Sequence, residues 1–310
     1  MRDTVIRTLI DLGKKDKDIE LITGDLGFGV LKPYWEALPN QFVNAGIAEQ
    51  SMTGVAAGMA LEGKKVFTYS IGNFPTLRCL EQIRNDCAYH NANVNVICVG
   101  GGYVYGSLGM SHHATEDIAV LRALPDVTVV CPGDPIEAEL AVKAIANYDG
   151  TCYLRLGRGG EKRINTDLKE FEIGKAYRIR QAKAEKKQIA VFSTGAILEE
   201  TTKACDMLEE QGYSVEQYSF PTVKPIDKEV IAECAAKFEH IFTVEEHNII
   251  GGFGSAVAEV LSGLGTKAKL HRIGINDFYC IEVGSQQYLR EQVGINAEGI
   301  TKKVREVFDV

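Results

Sequence analysis

The chain lacks several features that would have fixed its class at once. Its eight cysteines (79, 87, 98, 131, 152, 205, 234 and 280) show no CxxC and no metal-ligand spacing. That excludes a disulfide framework and a cysteine metal knuckle, and points to reduced thiols in cytoplasm, several buried as small hydrophobes. No run is long and apolar enough to span a bilayer, and the opening MRDTVIRTLIDLGKKDKDIELITG is an amphipathic helix pattern without the apolar core of a signal peptide. Basic charge is not in excess, with Lys+Arg 34 against Asp+Glu 42, a net charge of −8 and a pI near 5.4. Nucleic acid and anionic membrane surfaces are thereby excluded as main partners. Low-complexity tracts and internal repeats are missing as well. What remains is 310 residues at 45% apolar and 25% charged, a soluble globular composition long enough for two domains.

Short apolar runs alternate with helical patterns, which predicts an α/β protein built on parallel sheets covered on both faces. Strands are expected at Ile19–Thr23, Phe42–Val43, Val66–Tyr69, Val94–Val99, Val127–Cys131 and Thr151–Leu156. Helices are expected at 3–16, from Glu49 onward, at Phe74–Tyr89, at His113–Leu124 and at Ile136–Asn147. From Glu161 to Gln188 the texture turns charged and polar, the mark of a connecting segment that is partly strand. A second unit follows, with strands at Ile189–Thr194, Ser214–Ser219, His240–Glu245 and Leu270–Ile273. Its helices are expected at Ile197–Gln211, Lys228–Lys237, Gly254–Leu261 and 298–308. The division is therefore 1–165, a connection at 166–187, and 188–310. Gly251-Gly252-Phe253-Gly254 could bind an anion at a helix start, but reads more simply as a tight turn.

The most informative stretch is FVNAGIAEQSMTGVAAGMALEGKK, residues 42–65. A strand lead passes through Asn44-Ala45-Gly46 into a helix carrying Gly54 and Gly58, each costing roughly 1 kcal/mol against alanine. Such a cost is tolerated where another backbone comes close. Glu49 stands at the helix head, where the macrodipole stabilises a carboxylate. The wording around it says more. GIAEQ followed by AAGMALEGKKVF resembles the pyrimidine-binding domain of transketolases and their thiamine-diphosphate relatives. VEEHNIIGGFGSAV resembles the transketolase C-terminal domain, so the likeness covers nearly the whole chain.

The resemblance implies that Glu49 hydrogen-bonds N1′ of the cofactor's aminopyrimidine and that Phe74 stacks on that ring. Ile71 and Leu77 match neighbours that are often aromatic in the family, leaving the pocket aliphatic on two sides. In the loop GGGYVYGSLGMSHH (100–113) three glycines permit close backbone approach. His112 matches the histidine near the reacting carbon, with Ser111 beside it as a substrate contact and His113 as a weaker stand-in. Arg158, ending Tyr153-Leu154-Arg155-Leu156-Gly157-Arg158, matches an arginine that grips the substrate anion. Two positions depart from the pattern. Leu108 replaces an aspartate that reads a donor hydroxyl, and Gly100 replaces a histidine that helps hold the sugar phosphate.

A last absence sets the architecture. The family anchors the cofactor's diphosphate through a metal held by Gly-Asp-Gly in a separate domain, and no Gly-Asp-Gly occurs here. Gly24-Asp25-Leu26-Gly27 resembles an interface turn instead. The resemblance thus implies the C-terminal subunit of a split transketolase, with diphosphate and Mg2+ held by a separate N-terminal subunit. The Gly/Ala-rich helix would be a surface where subunits meet, in a two-fold symmetric heterotetramer. The implied activity moves a two-carbon ketol unit from a phosphorylated or otherwise anionic ketose to an aldose, in pentose-phosphate carbohydrate metabolism. The beta chain of a 2-oxo-acid dehydrogenase decarboxylase shares the Glu motif, but EDIAVLRALPDVTVVCPGDPIEAE is closer to transketolase and deoxyxylulose-phosphate synthase. A non-catalytic binding partner is suggested by Leu108 and Gly100, and opposed by Glu49, Phe74, His112 and Arg158.

Overall fold

The computed structural model describes residues 1–183 and 187–308. The strands in chain order are β1 (Ile19–Thr23), β2 (Phe42–Asn44), β3 (Lys65–Ile71), β4 (Val94–Val99), β5 (Val127–Val130) and β6 (Thr151–Leu156), then β7 (Tyr177–Arg180), β8 (Gln188–Thr194), β9 (Ser214–Ser219), β10 (Thr222–Lys224), β11 (His240–Asn248) and β12 (Lys269–Ile275). Among the described residues they form a seven-stranded sheet, β10-β5-β6-β4-β3-β1-β2, and a five-stranded sheet, β12-β11-β8-β9-β7. All pairs are parallel except those of the edge strands β10 and β7. Every residue of β4 and β6 is buried, as strands covered by helices on both faces must be.

Because β1, β3 and β4 are neighbours, the loops leaving their carboxyl ends lie side by side. These are the loops starting at Gly24, Gly72 and Gly100. A crevice beyond the carboxyl ends of parallel strands is where such sheets bind ligands.

Several elements differ from expectation. Phe28–Ala37, for which the sequence predicts no element, is a helix despite Gly29 and the internal Pro33. Leu31 and Tyr34 are fully buried, and that packing outweighs the missing proline amide. The stretch expected as one helix from Phe74 to Tyr89 is a turn through Thr76, a 3₁₀ turn at Leu77–Cys79, one α turn at Leu80–Gln82 and a wider π-type turn at Ile83–Ala88. The helix expected from His113 starts only at Asp117, because Ala114 pairs with Gly102 in an antiparallel bridge. A further helix, Gln286–Gln292, was not expected from the sequence.

The two sheets are tied together more closely than their order in the chain suggests. β7, inside the charged connecting segment, is the edge of the second sheet and runs antiparallel to β9. β10 crosses back from the second half and pairs antiparallel with β5 of the first sheet. Apolar residues of both halves, among them Tyr153, Cys131, Phe220 and Phe253, share one core.

Candidate functional site

The helix Glu49–Leu61 begins directly after β2 and its capping residue, Ala48, offers no side-chain acceptor. Glu49 therefore sits in the positive field of an uncapped helix end. Its side chain is only 4% exposed. Gly24, in the loop after β1, lies against it: a Cβ there would stand 3.4 Å from the Glu49 Cγ. The loop after β1 thus backs the carboxylate.

Phe74 reaches this place from the loop after β3. Arg78, four residues on, joins the two: its Nη1 donates to Glu49 Oε2 at 2.8 Å, and its Cζ lies 4.7 Å from the centroid of the Phe74 ring. From the loop after β4, the His112 ring meets Phe74 edge-on at 5.2 Å. The Ser111 hydroxyl and His112 Nδ1 are 3.1 Å apart. Glu49, Phe74, His112 and Ser111 are thus brought into one chain of contacts. Arg78 was missed by sequence reasoning. The available signal was its i, i+4 spacing from Phe74 within the helix expected at Phe74–Tyr89.

The other anticipated residues stand around this group. Ile71 closes β3 half-buried, and Leu77 opens the 3₁₀ turn, exposed. Arg158 is exposed after β6, with its Cζ 5.7 Å from the ring of Tyr105 in the glycine-rich loop. That loop links it to the group. His113 faces inward, buried edge-on against Tyr103 at 5.0 Å, and burial pulls its imidazole below the ordinary value. Leu108 and Met110 are exposed on the same loop.

The glycines of that loop have steric work. Gly100 and Gly102 both adopt positive φ, and a Cβ would fall 2.3 Å from the Tyr105 ring and 2.4 Å from Glu246 Cγ respectively. Glu246, on β11, receives the Tyr103 amide at 2.9 Å, and its other oxygen is gripped by Arg290 at 2.5 Å. Below it, buried Arg155 donates to Asp117 at 2.7 Å and to the carbonyls of Ala114 and Glu246 at 2.8 and 3.0 Å. The second unit therefore holds the loop that presents His112. Glu246 and Arg290 were not anticipated, because nothing local in the sequence links them to residue 103.

Gly54 and Gly58 lie on an open face of the helix Glu49–Leu61. Among the described residues, a Cβ at either position finds nothing within 4 Å outside the helix's own neighbouring backbone. Ile47, Val55 and Leu61 on the same segment are exposed, Ile47 by 80%. Among the described residues no three His, Cys, Asp or Glu side chains converge as metal ligands, and no helix is long and apolar enough to cross a membrane.

Comparison with known proteins identifies the family and the fold. The transketolase pyrimidine-binding domain family matches residues 1–160, and the transketolase C-terminal domain family matches residues 179–300. The chain is 36% identical to one of the subunits of an apulose-4-phosphate transketolase of Phocaeicola vulgatus, over 98% of this chain and 96% of the relative. It is 34% identical to a 6-deoxy-6-sulfo-D-fructose transketolase subunit of a Clostridium species, over 99% of this chain and 94% of the relative. Among solved structures, a split-gene transketolase described as an inactive beta4 tetramer superposes with a TM-score of 0.87 at 32% identity, covering 98% of this chain and 96% of that one.

Proposed function

Since the chain belongs to the transketolase family, among the C-terminal subunits of its split members, we propose that it is the pyrimidine-binding half of a thiamine-diphosphate-dependent transketolase. The observation that carries the reading is the slot between Glu49 and Phe74. A flat, N–H-bearing cation, the Arg78 guanidinium, lies across the Phe74 ring and donates to the buried Glu49 carboxylate. An aminopyrimidine has the same two needs, a ring face to stack on and an acceptor in its plane. The residues present therefore fit the group. Thiamine diphosphate would supply the nucleophilic carbon that takes a two-carbon unit from one sugar and hands it to another.

The chain's own residues then have distinct tasks. Glu49 holds a proton at N1′, a task suited to a buried carboxylate at a helix N-terminus. Phe74 supports the ring and keeps water from one face, with Ile71 and Leu77 flanking it. His112 moves protons at the substrate oxygens, its Nδ1 side held toward Ser111. Arg158, exposed and tethered over Tyr105, grips the substrate anion. The donor is read as an anionic ketose, phosphorylated or sulfonated, since one relative is named for a sugar phosphate and the other for a sulfosugar. Mg2+ and the diphosphate belong, in this reading, to a separate N-terminal subunit. The open helix face around Gly54 and Gly58 is proposed as a subunit contact in a heterotetramer working in the cytoplasm. The proposed division of the chain is 1–165 and 188–310, joined by 166–187.

The reading predicts that the assembled complex transfers a ketol unit from a phosphorylated or sulfonated ketose to an aldose with no lipoyl protein present. A coupled assay for the released aldose would show this. Decarboxylation of a 2-oxo acid onto a lipoyl acceptor, without ketol transfer, would contradict it.

A further inference from the structure

We infer that Arg78 is a built-in placeholder: it fills the Glu49–Phe74 slot of the cofactor-free chain and leaves when the aminopyrimidine enters. The inference rests on the reading of that slot as the pyrimidine site, and concerns what the chain does before the cofactor arrives. Arg78 occupies both places assigned to the aminopyrimidine, donating a charge-assisted hydrogen bond to Glu49 and sitting over the Phe74 ring face at 4.7 Å. Two flat groups cannot share that ring face, and Phe74 already meets His112 as well. Arg78 is free to go, because its side chain is 47% exposed and Glu49 is its one ion-pair partner among the described residues.

The chemistry supplies a reason for the arrangement. Glu49 is buried, and a buried carboxylate without a partner is costly. The guanidinium satisfies it and keeps the Phe74 face dry until the cofactor binds. With Arg78 displaced, the Glu49 carboxylate would be open to a hydrogen bond from the aminopyrimidine ring in place of the one from the guanidinium. An arginine left in contact would compete with the aminopyrimidine for the same carboxylate.

The test is calorimetric titration of thiamine diphosphate with Mg2+ into the assembled complex, wild type against Arg78→Ala and Arg78→Met. Each variant removes the competitor, so the dissociation constant should fall about threefold to tenfold, the scale of one partly exposed ion pair plus one cation–π contact. In the wild type, phenylglyoxal labelling of Arg78, mapped by mass spectrometry, should rise when the cofactor saturates the complex. Weaker binding in both variants, with Arg78 protected by the cofactor, would overturn the inference: Arg78 would then stay on Oε2 as a positioning residue while N1′ uses Oε1. That result would leave the slot's assignment standing. No binding to the wild-type complex would remove the assignment and the placeholder together.

Discussion

Glu49→Gln should lower turnover of the assembled complex by on the order of 10³-fold while leaving the complex intact, within the range that a positioned proton-transfer group supplies. The amide keeps the size of the side chain and can still accept a hydrogen bond, so helix Glu49–Leu61 should keep its place. What it loses is the negative charge needed to hold a proton at N1′. The same substitution removes the charge from a buried position whose ion-pair partner, Arg78, is half-exposed and free to turn to water. Stability should therefore change little. Steady-state kinetics beside analytical ultracentrifugation would separate the two effects. Full turnover in the variant would contradict the assigned role, and loss of assembly would mean that Glu49 is structural.

Arg155→Met should destabilise the chain by about 3–5 kcal/mol, the usual consequence of removing one partner of a buried ion pair. Asp117 has no exposed surface, and Arg155 is its charged hydrogen-bond donor. Tyr153 also donates its hydroxyl to Asp117, yet a neutral donor cannot balance the charge. The carbonyls of Ala114 and Glu246 would lose their donor as well, loosening the join between the glycine-rich loop and β11. Replacing both charges together, Asp117→Leu with Arg155→Met, should recover part of the loss because no buried charge is left alone. Urea unfolding of the two variants beside the unaltered chain measures each case.

The pair also carries an acid signature. Burial by itself would raise the Asp117 carboxyl, but the adjacent Arg155 guanidinium and His247 outweigh it, and the group lies below the ordinary carboxylate value. Its folded value is thus depressed below the unfolded value of about 3.9. The stability it contributes is fully present above that pH and is lost as pH falls through the folded value. The double replacement should lack this acid-dependent part.

Buried strands were the most legible part of the chain. Ile19–Thr23, Val94–Val99 and Thr151–Leu156 occur at the expected bounds, because a short, largely apolar run between turn residues has few other options, and Ser214–Ser219 also falls where expected. Thr222–Lys224 was not legible. Three residues between prolines carry no periodicity, and their partner, β5, lies about ninety residues earlier. Phe28–Ala37 was hidden by Pro33, and the irregular turns from Leu77 to Ala88 by a pattern that suits a plain helix equally well.

At the site, local wording placed Glu49, Phe74 and His112 close enough for the structure to join them. The link between them, Arg78, is a contact across the space between two loops, which no window of sequence displays. The same holds for Glu246 and Arg290, whose effect on the loop at 100–113 exists only once β11 is packed beneath it.

The central claim is that this chain holds half of a cofactor site and needs a second subunit to complete it. Titrating thiamine diphosphate and Mg2+ into the chain alone, and then into its mixture with the diphosphate-binding subunit, tests this most directly. Tight binding in the mixture and none to the chain alone is the predicted result. Tight binding to the isolated chain would contradict the claim, since the diphosphate would then be held by residues of this chain.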